Sequence, residues 1–227
     1  MRQDYFKNGF FSGLNEKLSL SHTFVKIAIL SAFTAFAAPT AQAQTLAALP
    51  AASHPIESMG AAKPLLAWMK FCDSNPAECA VDLNEPETIE LTPQIWKMIV
   101  SVNQRVNSTI KAVTDAEHWG VVDVWDFAED GRGDCEDFQL LKRRILAESG
   151  LPRRAMRMTV VIDELGEGHA VLVIRTNRGD YVLDNKTSSV LPWSRTGYVY
   201  IKRESQHQVG WVSLGGITTS PTTTANR

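Results

Sequence analysis

The sequence lacks three features that would each point to a particular class of protein. Basic residues are not in excess, since 23 Lys and Arg stand against 25 Asp and Glu, and this balance argues against a nucleic-acid partner or an anionic membrane surface. Cysteine occurs only three times in 227 residues, too few for a small disulfide-framework protein. Only one long apolar run is present, near the N-terminus. With 44% hydrophobic residues and six Trp, the chain is expected to bury an ordinary globular core.

The single apolar run is twelve residues long and lies at residues 27–38, directly behind Lys26. A membrane-spanning helix needs about 20 apolar residues, so this run is too short to cross a bilayer comfortably. Ala41-Gln42-Ala43 follows it and matches the small-x-small pattern that precedes signal-peptidase cleavage. A buried helix is the alternative, but nothing amphipathic continues the run. We therefore predict a cleaved signal peptide over residues 1–43 and a periplasmic protein with no membrane span after signal removal.

Composition marks the limits of the folded part. Residues 44–62 are rich in Ala, Ser and Pro, which predicts a flexible leader. Residues 217–227 are rich in Thr and Ser, which predicts a disordered tail. The folded domain is therefore predicted over residues 63–216.

Hydrophobic periodicity within this domain changes from helical to strand-like near Pro152. Thr92-Pro93 is a favourable N-cap and first-turn pair, and apolar residues behind it recur at helical spacing as far as Ile110. A second helix is predicted from Cys135 to just before Gly150. After Pro152 the period is two, which predicts strands over residues 157–163, 169–175, 180–185, 198–203 and 209–214. Helices followed by strands predict an α+β domain with an antiparallel sheet.

Export would place the three cysteines in an oxidising compartment. Cys72 and Cys79 flank the turn residues Asn75-Pro76, and a structural disulfide between them is predicted, with two buried free thiols as the alternative. Cys135 is then unpaired, and an odd thiol in an exported protein calls for an explanation.

Cys135 lies at a predicted helix start, behind the glycine turn Gly131-Arg132-Gly133. Unpaired N–H groups and the positive end of the helix dipole favour a thiolate there. The flanking carboxylates of Asp134, Glu136 and Asp137 oppose it, so the site would need a nearby cation or protonated histidine. A cysteine at a helix start is weak evidence of catalysis by itself.

A predicted hairpin brings a histidine and an aspartate together. A loop of two or four residues between Thr176 and Gly179 pairs Arg175 with Asp180, and His169 then has Asp184 as a diagonal neighbour on the same face. Diagonal side chains about 7–8 Å apart at the backbone can form an Asp–imidazole bond. A three-residue loop would place the two on opposite faces. The combination of Cys135 with a carboxylate-held imidazole matches the pattern of an activated cysteine nucleophile. The structural alternatives are that His169 is a hydrogen-bonded histidine of the sheet and that Asp184 forms a turn at the end of a strand.

The acidic segment from Asp123 to Asp137 contains seven Asp or Glu and one Arg. Its spacing fails the EF-hand pattern, because Ala128 occupies a ligand position and an Asp replaces the bidentate Glu. Hard oxygen ligands nevertheless suit calcium, which would offset the negative charge beside Cys135. A solvated acidic cluster is the alternative. The scattered histidines argue against zinc.

Several segments together resemble the bacterial transglutaminase-like cysteine proteinases, and the resemblance covers roughly residues 65–214. The blocks around the cysteine and the histidine are the most specific. The segments that carry the resemblance are 71–79, 91–93, 113–115, Gly131–Asp137 with Leu141–Arg144, Gly166–Leu172, and Gly179–Asn185.

This resemblance implies a papain-like/transglutaminase-like α+β fold, with the nucleophile at a helix N-terminus packed on an antiparallel sheet. It implies Cys135 as nucleophile, His169 as base and Asp184 as its orienting partner. The LapG-type periplasmic proteases of this family clip large cell-surface adhesins and so release biofilm. They require calcium bound by the acids flanking the nucleophile, here Asp134 and Glu136. They are regulated by an inner-membrane receptor. The Cys72–Cys79 segment is more similar to a less characterised branch, so fold and triad carry over more directly than the substrate.

The sequence thus predicts an exported cysteine endopeptidase that hydrolyses peptide bonds in a specific periplasmic or surface protein, such as an adhesin, with calcium as cofactor. A cell-wall amidase or transglutaminase on the same triad is a second hypothesis. A non-catalytic periplasmic binding module, in which Cys135 is inert, is a third.

Overall fold

The computed structural model describes residues 48–216. The predicted signal peptide and the predicted tail lie outside the described residues. Two short 3-10 turns, Arg153–Ala155 and Trp193–Arg195, accompany the regular elements. The helices are α1 (Leu66–Ser74), α2 (Pro76–Cys79), α3 (Pro93–Thr109), α4 (Asp115–His118) and α5 (Cys135–Glu148). The strands are β1 (Ala61–Ala62), β2 (Lys111–Ala112), β3 (Arg132–Gly133), β4 (Met156–Ile162), β5 (Gly168–Thr176), β6 (Gly179–Leu183), β7 (Leu191–Pro192), β8 (Val199–Glu204) and β9 (Trp211–Ser213).

Seven strands form one antiparallel sheet in the order β1-β9-β8-β4-β5-β6-β7. The two remaining strands, β2 and β3, form a separate parallel pair just before α5. Helices precede most of the strands in the chain and pack on the sheet, with α5 against β5 and α3 against α5. The architecture is the predicted α+β fold with an antiparallel sheet.

The predicted helix starts are confirmed by their caps. The Thr92 hydroxyl accepts a hydrogen bond from the Ile95 N–H at 3.2 Å, and Pro93 occupies the first turn. Ile99, Val102 and Val106 are buried along the predicted stripe of α3. An amphipathic helix of 17 residues is thereby held in place mainly by its apolar face rather than by intrinsic propensity.

The register of the β5–β6 hairpin is also as predicted. Arg175 pairs with Asp180 and Thr176 with Gly179, so Asn177 and Arg178 form a two-residue loop. Gly179 has φ +104°, and a Cβ there would lie 2.6 Å from the backbone of Ser53. Only glycine fits this turn, because both its conformation and the close approach exclude a side chain.

Residues 48–60, which we call the N-terminal strap, differ from the predicted flexible leader because they lie against the sheet. The Ser53 N–H donates to the Arg178 carbonyl at 2.7 Å, and the Tyr181 hydroxyl donates to the Ala51 carbonyl at 2.6 Å. The Ile56 N–H donates to the Asp180 carboxylate at 2.8 Å. The composition of this segment predicted a flexible leader. Its packing could not be predicted, because these hydrogen bonds are made by backbone groups, which leave no periodic pattern in the sequence.

The strap explains why β5 is apolar on both faces. Leu172 and Ile174 pack into the main core with the helices, whereas Val171 and Val173 pack into a second, smaller core with Ile56 of the strap. A strand that is covered on both sides is expected to be hydrophobic without alternation. The folded domain therefore begins before the predicted boundary at residue 63.

A disulfide joins Cys72 near the end of α1 to Cys79 at the end of α2, around the Asn75-Pro76 turn that the sequence indicated. Between residues 48 and 216, no helix is both long and apolar enough to cross a membrane.

Candidate active site

Cys135 is the first residue of α5 and is positioned by the segment that precedes it. Gly133 in β3 approaches Asp137 so closely that a Cβ at residue 133 would lie 2.7 Å from its carboxylate. The Asp137 carboxylate in turn accepts hydrogen bonds from the N–H of Asp134 at 3.1 Å and from the N–H of Asp126 at 2.7 Å. Because residue 137 reaches back to the N-cap residue, the helix start is fixed as in a capping box.

The thiol of Cys135 has no exposed surface. Its Sγ donates to Oε2 of Glu136 at 3.0 Å and accepts a hydrogen bond from the Ala170 N–H at 3.4 Å. Burial, followed by the carboxylates of Glu136 and Asp134, raises the pKa of Cys135 well above its usual range. Burial, with the flanking acids adding to it, therefore outweighs the effect expected of the helix dipole, and the thiol is protonated in this arrangement.

His169, in β5, is fully buried and bonded to Asp184 just beyond the end of β6. Nε2 of His169 lies 2.9 Å from Oδ1 of Asp184, the diagonal contact that the predicted hairpin register requires. Nδ1 of His169 is buried and has no hydrogen-bond partner. The imidazole therefore has one nitrogen held by a carboxylate and the other available.

Asp184 accepts hydrogen bonds at both of its carboxylate oxygens. Oδ1 also accepts from the Lys186 N–H at 3.0 Å, and Oδ2 accepts from the Tyr198 hydroxyl at 2.6 Å. Burial alone would raise the pKa of Asp184, but the hydrogen bonds from His169 and Tyr198 outweigh it and keep this pKa below its ordinary value. Because an ionised carboxylate cannot donate, the proton in the His169–Asp184 bond belongs to Nε2.

The nucleophile candidate and the histidine meet through adjacent residues of β5. Ala170, whose N–H contacts the Cys135 sulfur, directly follows His169. The strand thus brings residue 169 beside the start of α5, although it lies 34 positions after Cys135 in the sequence. All three residues predicted as a triad lie in this one region.

Four carboxylates form a buried acidic cluster around Cys135: those of Asp115, Asp134, Glu136 and Asp137. One ligand atom each of Asp115, Asp134 and Asp137 lie within 4.8 Å of one another, and the same holds for Asp134, Cys135 and Glu136. Three oxygens of the cluster are buried without a hydrogen-bond partner: Oδ1 of Asp115, Oδ1 of Asp134 and Oε1 of Glu136. Among residues 48–216, no Lys or Arg forms a salt bridge to any of the four.

Because no Lys or Arg in the described part of the chain compensates their burial, the carboxyl groups of this cluster have raised pKa values. Burial raises the pKa of Asp134 to about 7 and that of Asp137 to about 9. It raises the pKa of Glu136 well above its usual range, with Asp134 adding to the effect. Buried carboxyl oxygens without partners are hard donors that a divalent cation such as calcium can bind when the groups ionise, so Asp134 and Glu136, the predicted ligands, fit such an ion.

Asp115 is the acid of this cluster that the site prediction missed. It begins α4, and its N–H donates to the Asp134 carboxylate at 3.3 Å, while its own carboxylate accepts from the Val124 N–H. Parallel pairing of β2 with β3 brings it to the site from 19 residues upstream. The sequence signal was its place in the 113–115 block that resembles the proteinase family.

Two aromatic residues complete the surroundings of the site. Trp125 is buried in the core, near Phe71 and Trp211, so it belongs to the scaffold. Tyr198 contacts both Asp184 and the His169 ring, and no motif in the sequence singled it out.

The family model for bacterial transglutaminase-like cysteine proteinases (BTLCP) matches residues 58–219 of this chain. Three solved structures of Legionella pneumophila LapG are similar. The EGTA-treated form has 26% identity over 52% of this chain and 67% of that chain, with a TM-score of 0.46. The calcium-bound form has 24% identity, coverage of 57% and 80%, and a TM-score of 0.42.

The third LapG structure has 23% identity, coverage of 67% of this chain and 91% of that chain, and a TM-score of 0.42. At these TM-scores the likenesses carry no structural argument of their own. No curated protein sequence gives a significant match.

Proposed function

We propose that this chain, which belongs to the bacterial transglutaminase-like cysteine proteinases, hydrolyses peptide bonds with Cys135 as nucleophile, His169 as base and Asp184 as orienting group. The observation that carries the proposal is the His169 imidazole, whose Nε2 is bound to an ionised carboxylate and whose Nδ1 is buried without a partner. An imidazole with that tautomer offers a basic lone pair at Nδ1. The neighbouring residue of the same strand already contacts the thiol.

The first half of the reaction transfers an acyl group to the sulfur. Nδ1 of His169 takes the thiol proton of Cys135, and the sulfur attacks the carbonyl carbon of the peptide bond. The Cys135 N–H is among the first of α5 and has no acceptor within the helix, which suits it to stabilise the developing oxyanion. As the C–N bond breaks, His169 returns its proton to the leaving amine.

The second half restores the thiol. Water gives a proton to Nδ1 of His169 and attacks the thioester carbonyl, and the carboxylic acid product leaves as the sulfur regains its proton. Asp184 stays ionised throughout, because its hydrogen bonds keep its pKa low, and it stabilises the imidazolium that forms in each half.

We further propose calcium as the cofactor of the acidic cluster. Asp115, Asp134 and Glu136 each present a buried oxygen without a partner. Asp134 has ligand atoms close to Glu136 in one group and to Asp115 in another, so the three would hold the ion with Asp134 as the shared ligand. Calcium would supply positive charge that offsets the carboxylates beside the thiol. Asp137 is less suited as a ligand, because both of its oxygens already accept backbone hydrogen bonds.

Titration calorimetry of the chelator-treated protein tests this assignment. We expect calcium to bind, and magnesium to bind far more weakly, because magnesium gives up its water shell reluctantly. Glu136→Gln should abolish binding, whereas Glu129→Gln, which changes an exposed acid paired with Arg144, should leave it unchanged. Calcium binding that is equal in both variants would remove the acidic cluster from consideration.

We propose that the substrate is a periplasmic or surface protein and that a large surface adhesin is the first to test. The sequence pattern of the N-terminus supports export, and the disulfide between Cys72 and Cys79 suits an oxidising compartment. An inner-membrane receptor that restrains the protease is the regulatory partner that the family resemblance suggests.

The decisive experiment labels new protein N-termini. Surface and periplasmic proteins from cells that lack the gene are incubated, with calcium, with the wild-type protein or with Cys135→Ala. We expect new N-termini only with the wild-type protein, and loss of them in His169→Gln but not in His207→Gln, which changes an exposed histidine.

Other outcomes would replace the proposal. Incorporation of a biotinylated amine into proteins would indicate a transglutaminase. Release of peptidoglycan fragments without new protein N-termini would indicate a cell-wall amidase. No new N-termini and neither of these other products with wild type or Cys135→Ala would indicate a binding module with an inert thiol.

A further inference from the structure

Tyr198 makes two contacts with the proposed catalytic pair at once. Its hydroxyl donates to Oδ2 of Asp184 at 2.6 Å, on the oxygen that His169 does not use. Its ring lies edge-on to the imidazole of His169, with centroids 5.8 Å apart and an interplanar angle of 80°. One side chain therefore contacts both partners of the His–Asp bond.

The segment that presents Tyr198 is itself fixed. The Tyr198 N–H donates to the Thr196 hydroxyl at 3.3 Å, and that hydroxyl donates to the Trp193 carbonyl at 2.9 Å. Gly197 between them has φ +78°, a left-handed conformation that favours glycine. A side chain held by an anchored turn loses little freedom when it forms a hydrogen bond, so its position is well defined.

The environment of the Tyr198 hydroxyl also favours its role as a hydrogen-bond donor to Asp184. Burial and the Asp184 carboxylate raise the pKa of the Tyr198 hydroxyl well above its usual range. The hydroxyl therefore stays protonated at any pH at which the protein works. Asp184 in its turn cannot rotate to release His169 without giving up this charge-assisted bond.

Water has an approach to this pair from the side of Tyr198. A surface hollow of about 250 Å³ is lined by Asp184, Lys186, Thr187 and Tyr198, among other residues. Tyr198 lines this hollow, and its ring also contacts the imidazole of His169. Removal of the ring would admit water to the His–Asp bond, which would weaken it.

We propose that Tyr198 is a positioning residue of this site, which holds the Asp184 carboxylate with its hydroxyl and the His169 ring with its edge. It acts through Asp184 and His169 and does not touch the reacting atoms. The proposal rests on the proposed proteolytic function, but its first test does not need a substrate.

The test follows the Nε2 proton of His169 by NMR in protein expressed from the full reading frame. A proton bonded to a buried carboxylate resonates downfield and exchanges slowly, and His169→Gln identifies its signal. Tyr198→Phe retains the ring and removes the hydroxyl, so we expect this proton to exchange with solvent about tenfold faster or more. Tyr198→Leu also removes the ring and should accelerate exchange further.

Tyr200→Phe is the matched control. Tyr200 lies two residues further along the chain, in β8, and its hydroxyl contacts the Thr196 hydroxyl and the Trp193 carbonyl but not Asp184. Exchange of the His169 proton should change less than twofold in this variant. Equal acceleration in both variants, or none in Tyr198→Phe, would overturn the proposal.

Two further measurements separate this proposal from the proposed function. On a peptide that carries the cleavage site found by N-terminal labelling, Tyr198→Phe should lower kcat about tenfold and leave KM within twofold. If the wild type cleaves nothing but the exchange result holds, the proteolytic function fails and the positioning role stands. If Tyr198→Phe does not fold, the wild-type spectrum decides, because a slowly exchanging Tyr198 hydroxyl proton must then be present and its absence would refute the contact.

Discussion

Two buried charged regions lie along helix α5, and they differ in how their charge is compensated. The first is the acidic cluster at the start of the helix, where Asp115, Asp134 and Glu136 present oxygens without partners. The second lies about two turns further on, where Arg143 meets Glu204 of β8 at 2.6 Å. Both regions are almost free of solvent.

The Glu204 carboxylate is surrounded by donors. It accepts hydrogen bonds from Arg143, from the Trp68 indole at 2.7 Å and from the Met158 N–H at 3.0 Å, and Arg157 lies 3.8 Å away. Burial raises the pKa of Glu204, but Arg143 and Arg157 outweigh it and hold this pKa below its ordinary value. In the acidic cluster no Lys or Arg of the described residues forms a salt bridge to the carboxylates, and their pKa values are raised rather than lowered.

The difference separates scaffold from function. A buried charge with a full set of partners joins α5, β4 and β8 and has nothing left to offer a ligand. A buried charge without partners lowers the stability of the fold, and it is retained only where it serves a function such as ligand binding. The following predictions test this contrast, beginning with the largest expected effect.

Glu204→Gln should lower the free energy of unfolding by about 3–5 kcal/mol, because Arg143 and Arg157 would remain buried without their counter-charge. Chemical denaturation of the two proteins measures the difference. Glu129→Gln is the control, since its exposed salt bridge to Arg144 should contribute almost nothing. A loss below about 1 kcal/mol for Glu204→Gln would mean that this network is not the scaffold we infer.

Lys142→Met should stabilise the protein at and below neutral pH by about 2–4 kcal/mol and have no such effect above pH 10. Burial lowers the pKa of Lys142 to about 7, and its ammonium hydrogen-bonds only weakly, to Gln139 at 3.3 Å. Between about pH 7 and the ordinary lysine pKa the unfolded chain binds more protons than the folded one, so the wild type gains stability as pH rises.

Unfolding free energies of wild type and Lys142→Met at pH 6 and pH 10.5 measure this. The wild-type gain should be absent in the variant. Parallel pH dependence in the two proteins would show that Lys142 has a carboxylate partner in solution.

Calcium should raise the free energy of unfolding of the chelated protein by about 2.7 kcal/mol at a hundredfold excess over its Kd. The reason is that the ion would bind the folded acidic cluster and not the unfolded chain. Thermal unfolding with calcium and with EGTA measures the shift, and Glu136→Gln should remove it. A shift that survives in Glu136→Gln would locate the ion elsewhere.

Asp115→Asn should stabilise the chelated protein by about 1 kcal/mol, the opposite sign to Glu204→Gln, because it removes one of several like charges that burial leaves unpaired. The asparagine carbonyl can still accept the Val124 N–H. The same variant should lose the gain from calcium. Destabilisation in EGTA would show that Asp115 already has a compensating partner.

Local geometry explains what the sequence could predict of this molecule. The contact between His169 and Asp184 follows from a two-residue turn and the two-residue period of strands, so fifteen residues of chain suffice to derive it. The cap at Thr92 and the helix start at Cys135 are equally local. Such features depend on residues that are close together in the chain, so they can be predicted from a single sequence.

Features that depend on distant pairing could not be derived. Asp115 reaches Asp134 only through the β2–β3 pair, and Tyr198 reaches Asp184 from beyond the next strand-like segment, β7. The strap could not be predicted because it packs largely through backbone hydrogen bonds and through a few scattered side chains, such as Leu49, His54 and Ile56, which follow no periodic pattern. The burial of Cys135, which reverses the expected effect of the helix dipole, depends on the whole surrounding fold.

The ends of the large sheet bear on what happens when many folded copies of this chain are crowded together. Its outermost strands, β1 and β7, pair over only two residues each, and β7 ends in Pro192, which has no N–H to offer. Long, flat edges recruit strands from other molecules, whereas short edges and proline deny them a template. The apolar central strands are thereby kept away from the edges of the folded sheet, and we expect the folded protein at high concentration not to associate through these edges.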